Sequence, residues 1–207
     1  QSEEIIRHVN QFPSTKNKFV YRNLQQYAVA AQPKRKHTPF RIVYAGLLGV
    51  AQDIYSIIEN IPFQSIGAEF HLYGGGNQTE KIKEYINKHP GCFVYYHGYV
   101  KKEQIAEELS RYDASIVPLT VAIKGAVPSK IYDLIPIGIP ILFCGGGEGA
   151  EIVSKYYFGM VSKPHDFKQL HNNIIELINL PDEEYSTISK NCLDMAKNEF
   201  DFNKQIY

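Results

Sequence analysis

Short apolar runs rich in β-branched and aromatic residues recur along the chain: FRIVYAG (40–46), AEFHLYG (68–74), CFVYYHG (92–98), ASIVPL (114–119), PILFC (140–144) and FGMVS (158–162). Runs of this length, bounded by Gly, Pro and polar clusters, are strand signals. The stretches between them follow the helical period instead. AQDIYSIIENI (51–61) sets Ile54, Ile57, Ile58 and Ile61 on one face, QTEKIKEYINKH follows Gly76, and KKEQIAEELSRY follows Val100. IYDLI, AEIVSKYY and FKQLHNNIIELINL complete the set. Strand and helix in alternation at this spacing predict an α/β fold, a Rossmann-like parallel sheet with helices on both faces. The order of the strands is not readable from the pattern.

The two ends break the rhythm. Residues 1–39 hold one short helical stretch, the polar loop PSTKNK, an extended FVYRN and the basic, Pro-bearing AAQPKRKHTP. The KRK at 34–36 reads as a solvated linker, with attraction to a membrane surface as the lesser alternative. From Pro181 to Tyr207 the chain reads as helix without a partnering strand. Neither end has the pattern of a domain by itself.

Composition narrows the classes of function. With 207 residues, 44% of them hydrophobic, the chain can bury a sizeable core, as one large domain or one domain plus pieces of another. Lys+Arg and Asp+Glu both number 22, and a general polyanion binder would show a basic surplus, so nucleic acid is not an expected partner. Any phosphate recognition must then come from a few groups in one cleft. Cys92, Cys144 and Cys192 are odd in number and widely spaced, which argues against a zinc or disulfide framework and for a reducing, cytoplasmic setting. No run approaches the roughly 20 apolar residues of a membrane span. The polar opening QSEEIIRHVNQF, without an initiator Met, suggests a piece of a longer protein.

Glycines gather where the predicted strands end: Gly46 and Gly49 after the first, Gly74, Gly75 and Gly76 after the second, Gly145 to Gly147 after the fifth. Ligands of open parallel sheets sit outside those carboxyl ends. Glycine admits close backbone approach, and a helix starting at once offers free N–H groups to an anion. Glycines that merely turn the chain would explain one cluster; three on one edge point to a ligand cleft. YAGLLG is neither a Gly-x-Gly-x-x-Gly fingerprint nor a Walker loop, which disfavours an NAD enzyme and a P-loop NTPase.

The stretch AVPSKIYDLIPIGIPILFCGGGEGAEIV (126–153) carries the candidate chemistry. Pro128 and Ser129 suit a helix start, with the Ser side chain expected to cap an orphan N–H. Lys130 and Asp133 are three apart and share a helix face. An ammonium at a helix N-terminus suits a diphosphate, and a carboxylate one turn on can take both hydroxyls of a ribose. An exposed ion pair worth a few tenths of a kcal/mol explains the same two residues equally well.

With these residues in view, the chain resembles glycosyltransferase family 4 (group 1), retaining enzymes of the GT-B fold, in their C-terminal, nucleotide-sugar-binding domain. VPSKIYDLIPIGIPIL resembles the donor motif of that family, YAGLLGVAQ its first strand and loop, HLYGGGNQTEKIKEYI its glycine loop and helix, and HGYVKKEQIAEELSRYDASIVPL the next strand, helix and strand. The resemblance spans about residues 40–180 and implies a division of the chain. Residues 1–39 would be a remnant of the acceptor domain and the linker, 40–180 the donor domain, and 181–207 helices crossing back toward the missing acceptor half.

Carried over by position, the resemblance implies that Asp133 takes the ribose, in place of a more usual Glu, and that Lys130 and the helix start at Val127 and Ser129 hold the diphosphate. Gly46, Gly49, Gly74, Gly75 and Gly76 would line the phosphate and base side; Glu148 and Glu151 would serve a sugar hydroxyl or the fold. Lys130 and Lys124 would steady the departing diphosphate, the catalytic part of the work. Three positions depart from the family pattern: Gly125 where a second acid is common, and Leu47 and Gln52 where an Arg and a Lys are. Pro136 falls where the helix usually continues, predicting an early end or kink.

The implied reaction is sugar transfer, hexosyl or N-acetylhexosaminyl, from a nucleotide-diphosphate donor, UDP-sugar foremost, to an acceptor hydroxyl in polysaccharide synthesis, with retained configuration. No cofactor is expected, and without an Asp-x-Asp pair no metal is either. The implied partners are the donor and the acceptor domain, with peripheral membrane association through the longer protein. A nucleotide-sugar epimerase of the same fold and a non-catalytic nucleotide-sugar-binding module stand as alternatives. His71 and His97, in or at the end of strands, read as packed or rim residues ahead of an acid/base role.

Overall fold

The computed structural model describes residues 2–12, 22, 30, 32–121, 125 and 127–201. Six strands, β1 (Phe40–Leu47), β2 (Ala68–Gly75), β3 (Val94–Gly98), β4 (Ala114–Pro118), β5 (Ile141–Cys144) and β6 (Gly159–Ser162), form one sheet in the order β3-β2-β1-β4-β5-β6. Every neighbouring pair is parallel. This is the doubly wound arrangement. From β1 the chain winds outward through β2 and β3, then returns past β1 to build β4, β5 and β6, so the loops after β1 and β4 diverge and open a crevice between them.

Residue alternation sends side chains to opposite faces. On one face Ile42, Tyr44, Phe70, Leu72 and Leu142 pack under α2 (Ile54–Asn60), α3 (Thr79–Lys88) and α7 (Phe167–Asn179). On the other, Val43, Val117, Ile141 and Phe143 meet α4 (Ile105–Leu109), α5 (Lys130–Leu134), α6 (Glu148–Lys155) and α8 (Asp182–Asn198). β4 and β5 are buried along their whole length, as strands covered on both sides must be. The α/β, Rossmann-like parallel sheet read from the sequence is therefore the fold of the protein.

Local chemistry sets the boundaries of α5. Pro136 cannot donate to the helix and its ring crowds the preceding turn, so α5 stops at Leu134 and a single 3-10 turn, Ile135–Ile137, runs to Gly138 at φ 71°. Ser129 does not cap the helix through its side chain, contrary to the sequence expectation. Its backbone is already αR, and its carbonyl accepts the amides of Tyr132 and Asp133 at 2.9 and 3.1 Å.

Of the KRK run, read as a solvated linker, only Arg35 is exposed. Lys36 Nζ donates to the carbonyls of Ile178 and Leu180, at the carboxyl end of α7 where the helix dipole is negative. Lys34 reaches the Ser110 carbonyl, and burial pulls its ammonium down to about 8. Asp113, fully buried at the start of β4, accepts from the amides of His37 and Arg41 and from the His37 ring. Linker and sheet are thereby tied at the edge away from the crevice. Ahead of the linker, α1 (Glu3–Val9) lies beside the starts of α5 and α6.

Candidate functional site

The crevice at the switch point is an open cleft of about 420 Å³, a size typical of small-molecule sites. Its floor is the carboxyl end of β1 and β2: Ala45, Gly46, Gly74 and Gly75. Leu47, Tyr99, Val100 and Ile105 form an apolar side, and Lys130 and Asp133 face it from α5. The two charged residues singled out from the sequence thus open onto one cavity. A chamber of about 60 Å³ continues behind them, walled by Ala106, Leu109, Leu134 and Ile137, with Ser115 its polar edge.

Lys130 crosses the rim of β1 to reach this place. A methyl group on Gly46 would stand 2.3 Å from its Nζ, so glycine is what admits the ammonium there. Gly46 also has φ 153°, which other residues seldom adopt. The Nζ lies 5.5 Å from the ring centroid of the buried Tyr44, whose hydroxyl donates to the Leu47 carbonyl at 2.6 Å. Burial holds Lys130 below its ordinary value, against the opposing pull of Asp133. Burial likewise pushes the Asp133 carboxyl up to about 6, against the Lys130 and Lys102 ammoniums. Asp133 Oδ1 is buried and has no hydrogen-bond partner. A carboxylate oxygen kept from both water and donors is costly, and a ligand hydroxyl aimed at it would remove that cost.

The glycines divide into two groups. Gly46, Gly74 and Gly75 floor the cleft. A Cβ on Gly74 would sit 2.0 Å from the Gly46 carbonyl, so its bare backbone also serves the pairing of β1 with β2. Gly49 and Gly76 stand outside the lining. Gly49 turns the chain into α2 through bonds from the amides of Gln52 and Asp53, and Gly76 lies against the Leu48 carbonyl with its own amide on Thr79 Oγ1 at 2.8 Å. The Gly76 amide is thus already taken by the first residue of α3.

The remaining candidates lie elsewhere. Val127 is buried in the core under α5 and Ser129 is exposed. Glu151 is exposed on α6, away from the cleft. Both Glu148 carboxylate oxygens are taken, by the amides of Glu3 and Glu4. Lys124 lies outside the described residues. Gly125 carries no acid, yet one stands there: Glu4 Oε2 accepts its amide at 2.8 Å. Tyr99, 82% exposed, borders the cleft beside Gly75, and neither it nor Tyr73 was singled out as a site residue. Tyr73 ends β2 itself, whereas Tyr99 joins the rim because β3 lies beside β2, a fact of strand order that the apolar pattern does not encode.

His71 and His97 meet on neighbouring strands, Nδ1 to Nε2 at 2.9 Å, with parallel rings. Burial holds both below the ordinary histidine value. They stand outside the cleft lining, although Tyr73, which stacks on His97, belongs to it. Among the described residues no cluster of three or more His, Cys, Asp or Glu side chains is placed to hold a metal ion. A tight pocket of about 20 Å³ beside Ser162 and His165 has room for a water molecule only. No helix among the described residues is long and apolar enough to cross a membrane.

Known structures share the fold. A TarM variant from S. aureus, in complex with Fondaparinux, alpha-GlcNAc-glycerol and UDP, superposes with TM-score 0.70 at 19% identity, over 93% of this chain and 38% of that one. Anabaena HepE in complex with UDP and glucose gives 0.67 at 19% identity, over 81% and 47%. The catalytic domain of cholesterol-alpha-glucosyltransferase from Helicobacter pylori gives 0.59 at 18% identity, over 78% and 99%. The chain therefore spans under half the length of TarM and HepE. At these identities the likeness establishes the GT-B type of fold. No curated relative matches the sequence. The model of the family described as "Glycosyl transferases group 1" matches residues 39–180, most of the chain and all six strands. The protein belongs to the group 1 glycosyltransferases.

Proposed function

We propose that this chain is the donor-binding half of a retaining, metal-independent glycosyltransferase that takes a nucleotide-diphosphate sugar, a UDP-sugar first among them. The observation that carries the reading is the joint placement of Lys130 and Asp133. Both face one glycine-floored cleft at the switch point, and Asp133 keeps an unpartnered oxygen. Diphosphate and ribose are adjacent in such a donor. In this reading the ammonium and the bare backbone of Gly46 and Gly75 receive the phosphates, and Asp133 accepts the ribose hydroxyls. The apolar side at Tyr99, Val100 and Ile105 is left for the base. The UDP and glucose held by HepE and the UDP held by TarM support the choice of donor.

Sugar transfer requires the diphosphate to leave as positive charge builds on the anomeric carbon. Cationic and N–H groups already fixed toward the departing oxygens stabilise the negative charge that gathers on the diphosphate, without reorganising. Lys130 fills this role, with Lys124 assigned to it from the sequence. The acceptor molecule, whose hydroxyl takes the sugar, would be held by a further domain, in keeping with the share of TarM and HepE that this chain spans. Hexosyl or N-acetylhexosaminyl transfer, a cytoplasmic setting and peripheral membrane attachment through the longer protein complete the reading.

Calorimetric titration with UDP-, GDP- and ADP-sugars tests it directly. Saturable binding of one class is expected. Lys130→Ala should weaken the nucleotide diphosphate more than the free nucleoside, and Asp133→Ala should weaken both. Equal losses for the two ligands with Lys130→Ala would remove the phosphate assignment.

A further inference from the structure

Glu148 opens α6 and is 7% exposed, yet among the described residues no cation pairs with it. Its carboxylate accepts the amide of Glu3 at 2.9 Å and that of Glu4 at 3.1 Å, from residues 145 and 144 positions earlier in the chain. The next amide of that turn, Ile5, is met by Ser2 Oγ at 3.1 Å, and Ser2 is fully buried. Glu4 then turns its own carboxylate outward from α1 and accepts the Gly125 amide at 2.8 Å. The Ile5 side chain lies against the same residue; a methyl on Gly125 would come within 2.4 Å of it. Gly125 has φ 74° and stands five positions before Lys130, with the buried Val127 between them. A short helix from ahead of the linker thus grips the start of α6 and the approach to α5 together.

Hydrogen bonds to an ionised acceptor are about twice as strong as neutral ones. Without that carboxylate the Glu3 and Glu4 amides would lose their acceptor. Removing Glu148 should therefore release α1, and with it Glu4 and Ile5 from Gly125. Among the described residues of the approach to α5, the buried Val127 and Pro128 beside Gly149 would remain to hold it. Lys130, first residue of that helix, is the group most exposed to the loss.

We propose that Glu148 is a positioning residue for the cleft. By holding α1 it seats Glu4 on the Gly125 amide and fixes the stretch that delivers Lys130, so the phosphate end of the cleft is complete only while α1 is docked. The inference rests on the assignment of Lys130 to phosphate.

The test uses the whole 207-residue chain, amide hydrogen exchange, and calorimetry with inorganic pyrophosphate and with uridine. In Glu148→Ala the amides of Glu3 and Glu4 should exchange at least tenfold faster. Pyrophosphate affinity should fall about fivefold or more, with uridine affinity within twofold. Glu4→Ala should repeat the pyrophosphate loss, and Glu4→Gln, which keeps an acceptor oxygen for Gly125, should restore it. The double variant Glu148→Ala/Glu4→Ala should be no worse than either single one, since both break one chain of contacts. Faster exchange with unchanged pyrophosphate affinity would reduce Glu148 to a brace of the fold and overturn the proposal, as would additive losses or unchanged exchange. If the unmodified chain binds no pyrophosphate, the donor reading falls first and this inference with it. If it binds and the variants bind equally, only this inference falls.

Discussion

Asp113 and Asp133 sit at opposite edges of one sheet and are handled in opposite ways. Asp113, before β4 at the amino edge, is fully buried, and its oxygens are filled by the His37 and Arg41 amides at 3.1 and 2.7 Å and by the His37 ring at 2.7 Å. Its carbonyl takes the Tyr185 hydroxyl at 2.7 Å as well. Asp133, at the carboxyl edge, keeps Oδ1 unpartnered beside a cleft, and burial pushes it up to about 6. A carboxylate whose acceptors are all used holds the chain together. One kept without donors costs stability, a cost that a ligand hydroxyl in the cleft would remove.

Substitution of the two acids separates these roles. The largest effect should come from Asp113→Ala, which strands two backbone amides and frees the linker; a loss of about 3 kcal/mol is expected in urea unfolding. Asp133→Ala should leave unfolding stability equal or higher, because it removes a charge that burial disfavours, and should weaken nucleotide-diphosphate binding roughly tenfold to a hundredfold by calorimetry. A large stability loss from Asp133→Ala would erase the contrast. Gly46→Ala, which sets a methyl against the Lys130 ammonium, should cost about tenfold in pyrophosphate affinity and leave uridine unaffected.

Acidity gives the smallest and most selective reading. A carboxylate accepts ribose hydroxyls better than a carboxylic acid does, so donor affinity should fall a few-fold as pH drops through about 6 and stay flat above it. The pKa is raised on folding, so the folded chain binds the extra proton, and stability should decline as pH rises from 3.8 to about 6. Asp133→Asn should flatten both curves. Titration of binding and of urea midpoints across that range checks the sign.

Much of this contrast was legible beforehand. Alternating apolar runs gave six strands within a few residues of their observed ends, because each is a continuous stretch buried on one or both faces. Lys130 and Asp133 were legible because they lie on one short helix, where spacing alone decides their side. What escaped depended on contacts between distant parts of the chain. Tyr99 joins the rim through the placement of β3 next to β2. Glu148 and Glu4 meet partners more than a hundred positions away. Lys34 and Lys36 read as solvent-facing charge, and nothing local announces that helix carbonyls wait for them. Gly74 and Gly76 look like a ligand loop in sequence, yet strand pairing and a close carbonyl explain them in part.

The shelf formed by Gly46 opposite Gly74 and Leu47 opposite Gly75 also limits how the protein can change. Gly74 has no room for a side chain, and Gly46 has room only if Lys130 moves, so the floor is closed to mutational drift. A descendant acquiring a different donor would have to do it on the walls, at Leu47 and Tyr99, where exposed side chains can be exchanged without disturbing the strands beneath.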